Sequence, residues 1–247
     1  MAQYEKVIEV EPSCCNSYNG RGNALYGLAE YKKAISAYEK AIDLHPECPN
    51  PWRGKADAIW ASQGIEQVIV FCDRSILELR KQGTDRSEVV GVLFSLQGDA
   101  YYQKGRTQYQ YFRKSLNKSR RSYLAAIKIF EDLPVQDKYL DALQSVIKVL
   151  LGLNRVKESD ELLRKGTEYL DRCLNEIPSH NDRKLLVLKF AGFDQLTVDR
   201  QIQAASQLTD DASIQEKWKE ALITAEKGKN TCLSWLLYAL SNRLYWN

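Results

Sequence analysis

The chain has 247 residues, 44% of them hydrophobic, which is enough apolar material for one elongated helical domain or two compact ones. Its 35 Lys and Arg stand against 32 Asp and Glu, and the net charge of +3 excludes a general attraction to nucleic acid or anionic membrane, leaving any charge preference local. The six cysteines form no C-x-x-C pair, the first residues lack a secretory pattern, and no apolar run reaches the length of a membrane span, so a reduced, cytoplasmic protein is expected.

In chain order, residues 3–12 read first, as a helix carrying Tyr4, Val7 and Ile8 and stopped by Pro12. The segment from Cys15 to Cys48 predicts a helical hairpin. Its first helix carries Tyr18, Gly22 and Leu25, Gly27 to Glu30 form the turn, and the second helix carries Tyr31, Ala34, Tyr38 and Ala41. Gly22, Ala34 and Ala41 are small where the two helices cross, the tyrosines fill the space around them, and Pro46 cannot continue a helix beyond Leu44. Tyr4, Val7, Ile8 and Pro12 precede Tyr38, Ala41, Ile42 and Pro46 by 34 residues. Residues 3–12 therefore read as the second helix of an earlier unit whose first helix is missing. A piece of a longer array, or self-association through the uncovered face, is expected.

The spacing continues with Trp52, Ala56, Ile59, Val68, Cys72 and Ser75, and then, after the turn-rich linker Lys81 to Arg86, with Phe94, Gly98, Tyr101 and Gly105. Tyr123, Ala126 and Ile127 arrive about nine residues late, behind the tract Thr107 to Ser122, which reads as an extension of the hairpin. A fourth hairpin runs from about Gln136 to Leu174, turns at Gly152-Leu153-Asn154-Arg155, carries Val156, Ser159, Leu163 and Gly166, and ends at Pro178. Asn181 or Asp182 is placed to cap a helix from Arg183 to about Ala204. After the polar break Thr209-Asp210-Asp211, Trp218, Ala221, Ala225 and Gly228 repeat the aromatic and small spacing once more.

A 34-residue unit with these residues at these offsets resembles the tetratricopeptide (TPR) repeat. The resemblance implies an all-α, right-handed α-solenoid of TPR-type helical hairpins. The expected segments are 1–80 with TPR repeats, the first half-complete; 81–178 with degenerate hairpins and a basic-aromatic extension; and 179–247 with C-terminal TPR-like helices. The stretch Glu220-Ala-Leu-Ile-Thr-Ala-Glu-Lys-Gly-Lys-Asn-Thr-Cys-Leu-Ser-Trp-Leu-Leu resembles the end of the TPR arm in bacterial CHAT-type proteins, over about residues 120 to 240. In that family a caspase-like peptidase domain follows, whereas this sequence stops at Asn247, and no peptidase residue is carried over.

The TPR resemblance also implies a binding groove lined by the first helices. Its matching positions here are Asn16, Asn19, Asn23 and Tyr26, then Asn50, Arg53, Asp57 and Trp60, then Val92, Ser95, Asp99 and Tyr102. Asparagines on one face can bond a peptide backbone in either polarity, and Trp60 and Tyr102 supply the amphipathic area that anchors interfaces. A protein or peptide partner of unknown identity is expected. Arg53 is the one basic residue among these positions, which argues against clamping a terminal carboxylate.

A second candidate surface is basic. From Ala100 to Phe130 the chain carries Lys104, Arg106, Arg113, Lys114, Lys118, Arg120, Arg121 and Lys128 with no Asp or Glu, among Tyr101, Tyr102, Tyr109, Tyr111, Phe112 and Tyr123. Such a tract fits an acidic protein surface or, as the alternative, RNA held by phosphate contacts and stacking rings. Catalysis has little to stand on. His45 and His180 have no acidic or thiol partner at a recognisable spacing, Cys14-Cys15 shows no activating surroundings, and Gly20-Arg21-Gly22 lies inside a helix. No enzyme activity, metal or cofactor is expected.

Overall fold

A computed structural model of the chain describes residues 2–205, 213, 215–217 and 219–226. Among these residues the regular elements are all helical: α1 (Ala2–Val10), α2 (Cys15–Gly27), α3 (Tyr31–Leu44), α4 (Pro49–Gln63), α5 (Ile65–Lys81), α6 (Glu88–Thr107), a 3₁₀ turn at Tyr109–Tyr111, α7 (Phe112–Phe130), α8 (Gln136–Gly152), α9 (Val156–Glu176), α10 (His180–Lys189) and α11 (Gly192–Ala205). No helix among them is long and apolar enough to cross a membrane. The fold is an all-α helical repeat. By contact it divides into residues 1–142 and 143–247.

In the first unit each helix from α1 to α6 packs on its successor. Glycine–aromatic contacts set how closely they approach. Tyr38 of α3 is 2% exposed and lies between Gly22 of α2 and Gly54 of α4; a Cβ at either glycine would stand 2.5 Å from its ring. Tyr123 of α7 faces Gly98 of α6 in the same way, and Phe130 faces Gly91. Where the second repeat has no such tyrosine, Cys72 and Ala56 fill the crossing at 0% and 1% exposure. Ser119, fully buried in α7, donates from its hydroxyl to the carbonyl of Gly98 at 2.8 Å, which satisfies a buried group where the two backbones come close.

The hydroxyls fix the length of the inserted stretch. Tyr38 donates to Asn23 fifteen residues earlier at 2.8 Å, while Tyr123 donates to Asp99 twenty-four residues earlier at 2.5 Å. The tract from Thr107 to Ser122 thus lengthens the α6–α7 hairpin without disturbing the crossing. Except for the short turn at 108–111, that tract is helical, so both arms of the hairpin carry the added residues.

The turns depart from expectation in one respect. Gly27 and Gly152 stay helical, and the left-handed residues are Ala29 and Asn154, each with φ 58°. In both turns the next residue's N–H reaches back across the helix end, Glu30 to the Leu25 carbonyl and Arg155 to the Leu150 carbonyl. Gly83, with φ 77°, ends α5 likewise, Thr84 bonding the Leu79 carbonyl.

In the second unit α9 packs on α10 and α11. The single helix expected from Arg183 to Ala204 is two helices. Phe190 closes α10 at φ −108° and ψ 18°, its carbonyl accepts from Gln144, and Phe190 and Phe193 turn inward as buried residues around the break. Phe193 of α11 sits against Gly166 of α9, which reverses the order seen at Tyr38 by placing the glycine on the second helix of the hairpin and the ring on a later helix. Ser179 caps α10, its hydroxyl accepting from the Asp182 N–H, in place of the expected Asn181 or Asp182. Ala221 is buried, while Trp218, Gly228 and most of the stretch that resembles the peptidase-protein arm lie outside the described residues.

Candidate functional site

The first helices of successive hairpins form a wall. α2 contacts α4 and α4 contacts α6, whereas α3 and α5 show no comparable contact among the described residues. On that other side a cleft of about 450 Å³ opens between them, lined by Ile35, Ile42, Trp52, Val70 and Phe71 with Lys55 bonded to Glu39 across it. α2, α4 and α6 are thus set more closely to one another than α3 is to α5.

The residues expected in the groove belong to α2, α4 and α6, and their surroundings divide them. Tyr26 and Trp60 are 39% and 37% exposed, and with half-buried Tyr102 they occupy one repeat position on three adjacent helices. Tyr26 meets Tyr31 edge-on, and Tyr102 carries the Arg106 guanidinium over its ring at 5.8 Å. Asn16, Asn50 and Arg53 are exposed, Asn19 and Ser95 half-buried, and Val92 buried in the core. The buried Asn19 Oδ1 has no hydrogen-bond partner. Asn23 and Asp99 accept the hydroxyls of Tyr38 and Tyr123, so these two side chains also tie the hairpins together. That double role was missed from sequence, although tyrosine paired with Asn or Asp across each hairpin was a readable signal.

The charges on the wall interact. Burial pushes the Asp57 carboxyl up, with Arg53 pulling it back. Burial pushes Asp99 up as well, opposed by the Tyr123 hydroxyl and Arg53 and reinforced by Asp57 and Asp141. Burial, then Asp57 and Tyr26, push the Tyr38 phenol up to about 12. Arg53 therefore acts on Asp57, one turn away on its own helix, and on Asp99 of α6, so that two carboxylates surround this one guanidinium.

The basic tract divides in a similar way. Lys104 pairs with Glu66 at 2.6 Å and lies over Tyr111, Arg106 lies over Tyr102, and Lys118 lies over Tyr101 at 4.9 Å. Arg113, Lys114, Arg121 and Lys128 are exposed on α7 and pair with no carboxylate among the described residues, while half-buried Arg120 has contacts of its own. Tyr123 is core, and Tyr109, 90% exposed, stacks on Phe112 at the hairpin tip.

The candidate reactive groups sit elsewhere. His45 does have an acidic partner, Glu47 at 2.9 Å, but both are exposed, and the bond lowers the Glu47 carboxyl. Burial, followed by Cys48, Cys14 and Glu47, pushes the Cys15 thiol up, the opposite of an activated nucleophile. The described residues hold no group of three His, Cys, Asp or Glu arranged for a metal.

The tetratricopeptide repeat family model matches residues 15–48. No curated protein matches the chain. The crystal structure of YrrB, described as a TPR protein with an unusual peptide-binding site, is similar at a TM-score of 0.50 and 15% identity, over 96% of this chain and 97% of that one. A Podosopora anserina putative kinesin light chain with nearly identical TPR-like repeats is similar at a TM-score of 0.55 and 13% identity, over 90% of this chain and 98% of that one. These matches carry the TPR resemblance and lend none to the peptidase-protein arm. The chain thus contains a tetratricopeptide repeat at residues 15–48 within an all-α helical-repeat fold of the TPR type.

Proposed function

We propose that the chain is a non-catalytic interaction scaffold, cytoplasmic, that binds a peptide or extended protein segment along the wall formed by α2, α4 and α6. The observation that carries this reading is the column Tyr26, Trp60, Tyr102, one aromatic residue at the same repeat position on each of three touching helices, two of them over a third exposed. Rings held on a rigid helical wall offer contact area at little entropic cost. Asn16, Asn19 and Arg53 beside them supply donors and acceptors for a backbone. The acidic balance around Arg53 disfavours a terminal carboxylate and favours a segment without excess negative charge. The likeness to YrrB, itself described as binding peptide, supports the same class of ligand. A role as the sensory arm of a larger peptidase rests on the C-terminal sequence alone, and nothing on the wall depends on it.

Peptides selected from a random displayed library against the full chain test the proposal. Tyr26→Ala with Trp60→Ala should weaken the selected peptides by about thirtyfold or more, since truncating an interface anchor costs about 2 kcal/mol. Equal affinity for the double variant, at an unchanged melting temperature, would place binding elsewhere.

A further inference from the structure

We propose that the outward face of α7 docks an acidic protein segment, at a site separate from the α2–α4–α6 wall. At 3.6 residues per turn, Arg113, Asn117, Lys128, Arg121, Lys114 and Lys118 fall within about 140° of the helix circumference and span about 22 Å along its axis. Directly opposite lie Ser115, Ser119, Ser122, Tyr123 and Ala126, buried against the rest of the unit. The cations are thus fixed in a row by the packing of the other side.

Three features set this row apart from an ordinary solvated face. The exposed side of α3 mixes Lys32, Lys33 and Lys40 with Glu39 and Asp43, and α9 pairs Arg164 with Glu168, whereas no Asp or Glu occurs from Ala100 to Phe130. The row also works against its own helix. Arg113 and Lys114 occupy the first turn of α7, which has no acidic residue and no side-chain cap. There the helix dipole repels cations, and Lys114 and Lys118 add a like-charge pair one turn apart. A sequence shaped for helix stability alone would place acids in that turn. Local rules broken without local compensation mark a functional surface, and carboxylates from outside are the groups that would relieve both repulsions.

The same geometry favours protein over RNA. Stacking of bases needs exposed rings interleaved with the cations, but Tyr123 is buried, Tyr101 lies under Lys118, Tyr102 lies under Arg106, and Tyr109 and Tyr111 stand together beyond one end of the row. What the row matches is a helical or extended segment whose carboxylates recur about once per helical turn.

The test uses the full chain and three probes: a synthetic helical peptide with Glu at every fourth residue, the same peptide with Gln in those places, and oligouridylate. The Glu peptide should bind saturably at low salt, lose affinity steeply as salt rises, and bind the Tyr26→Ala, Trp60→Ala variant as well as it binds wild type. Reversal of Arg113, Lys114 and Arg121 to Glu should weaken it by on the order of tenfold or more. The same reversal puts acids in the first turn of α7, so the melting temperature should rise as binding is lost. Equal binding of the Gln peptide, tighter binding of oligouridylate, binding that survives the reversal, or a melting temperature that falls would each overturn the proposal.

Discussion

Tyr38 has a glycine on either side of its ring and a hydrogen bond at its tip, so its position is determined on three sides. Gly22→Leu drives a branched side chain into that ring. It should destabilise the protein by about 1–3 kcal/mol through overpacking, seen as a lower melting temperature; an unaltered melt would show that the assigned crossing is wrong. Asp99 makes the equivalent tip contact to Tyr123 with a charged group where Asn23 makes it with a neutral one. Because burial raises the Asp99 carboxyl, the folded chain holds this proton more tightly than the unfolded one. Stability from this group is therefore greatest at low pH and is lost as pH rises from about 3.9, the ordinary Asp value, through the raised folded value. Asp99→Asn keeps an acceptor for Tyr123 and removes the buried charge. It should raise the melting temperature at neutral pH and flatten the pH dependence of unfolding in the acidic range. A lower melting temperature at neutral pH would mean that attraction to Arg53 outweighs the cost of burial.

Among the elements, α1 is the most exposed: Tyr4 and Val7 are more than a third accessible and Val10 almost wholly so. A nine-residue helix packed on one neighbour is marginal in water. Its amides should exchange with solvent faster than those of α3 or α4 in dilute protein; protection across Val7 to Glu9 as strong as theirs would refute this, and protection that grows with protein concentration would mark self-association through its exposed face. The hairpins themselves were readable because Gly22, Ala34, Tyr38 and Ala41 combine packing size with a fixed period. The nine-residue delay before Tyr123 was readable as a length, but not as two longer helices. A run of Ser, Asn, Lys and Arg has neither the apolar spacing nor the breakers that would assign it, and its buried serines 115, 119 and 122 find partners or space only in the folded hairpin. Ala29 was hidden for a related reason. Left-handed backbone announces itself as Gly or Asn, as at Gly83 and Asn154, and an alanine there is held by the turn's hydrogen bonds rather than by its own preference.

At the scale of the whole chain, the repeat period carried the fold class, because a repeat is legible wherever its crossings are made of small residues and rings. Legibility faded toward the C-terminus, where the break after α10 is held by contacts far off in sequence, Phe190 with Gln144 and Phe193 with Gly166. The wall was legible as a set of positions but not as an electrostatic field, since the effect of Asp141 on Asp99 comes from a helix outside the expected groove. The lengthened hairpin has one more consequence. α6 and α7 are the most extensively packed pair among the described helices, and their connection, Gln108 to Tyr111, stands at the tip with Tyr109 almost fully accessible. A protease that nicks the chain there severs one covalent link and leaves the interface between the two halves intact. The pieces on either side are then complementary subunits held by the same glycine–aromatic contacts that join the hairpin, and the tip is where a reporter domain or an affinity tag would be spliced in between the two arms, leaving those contacts in place.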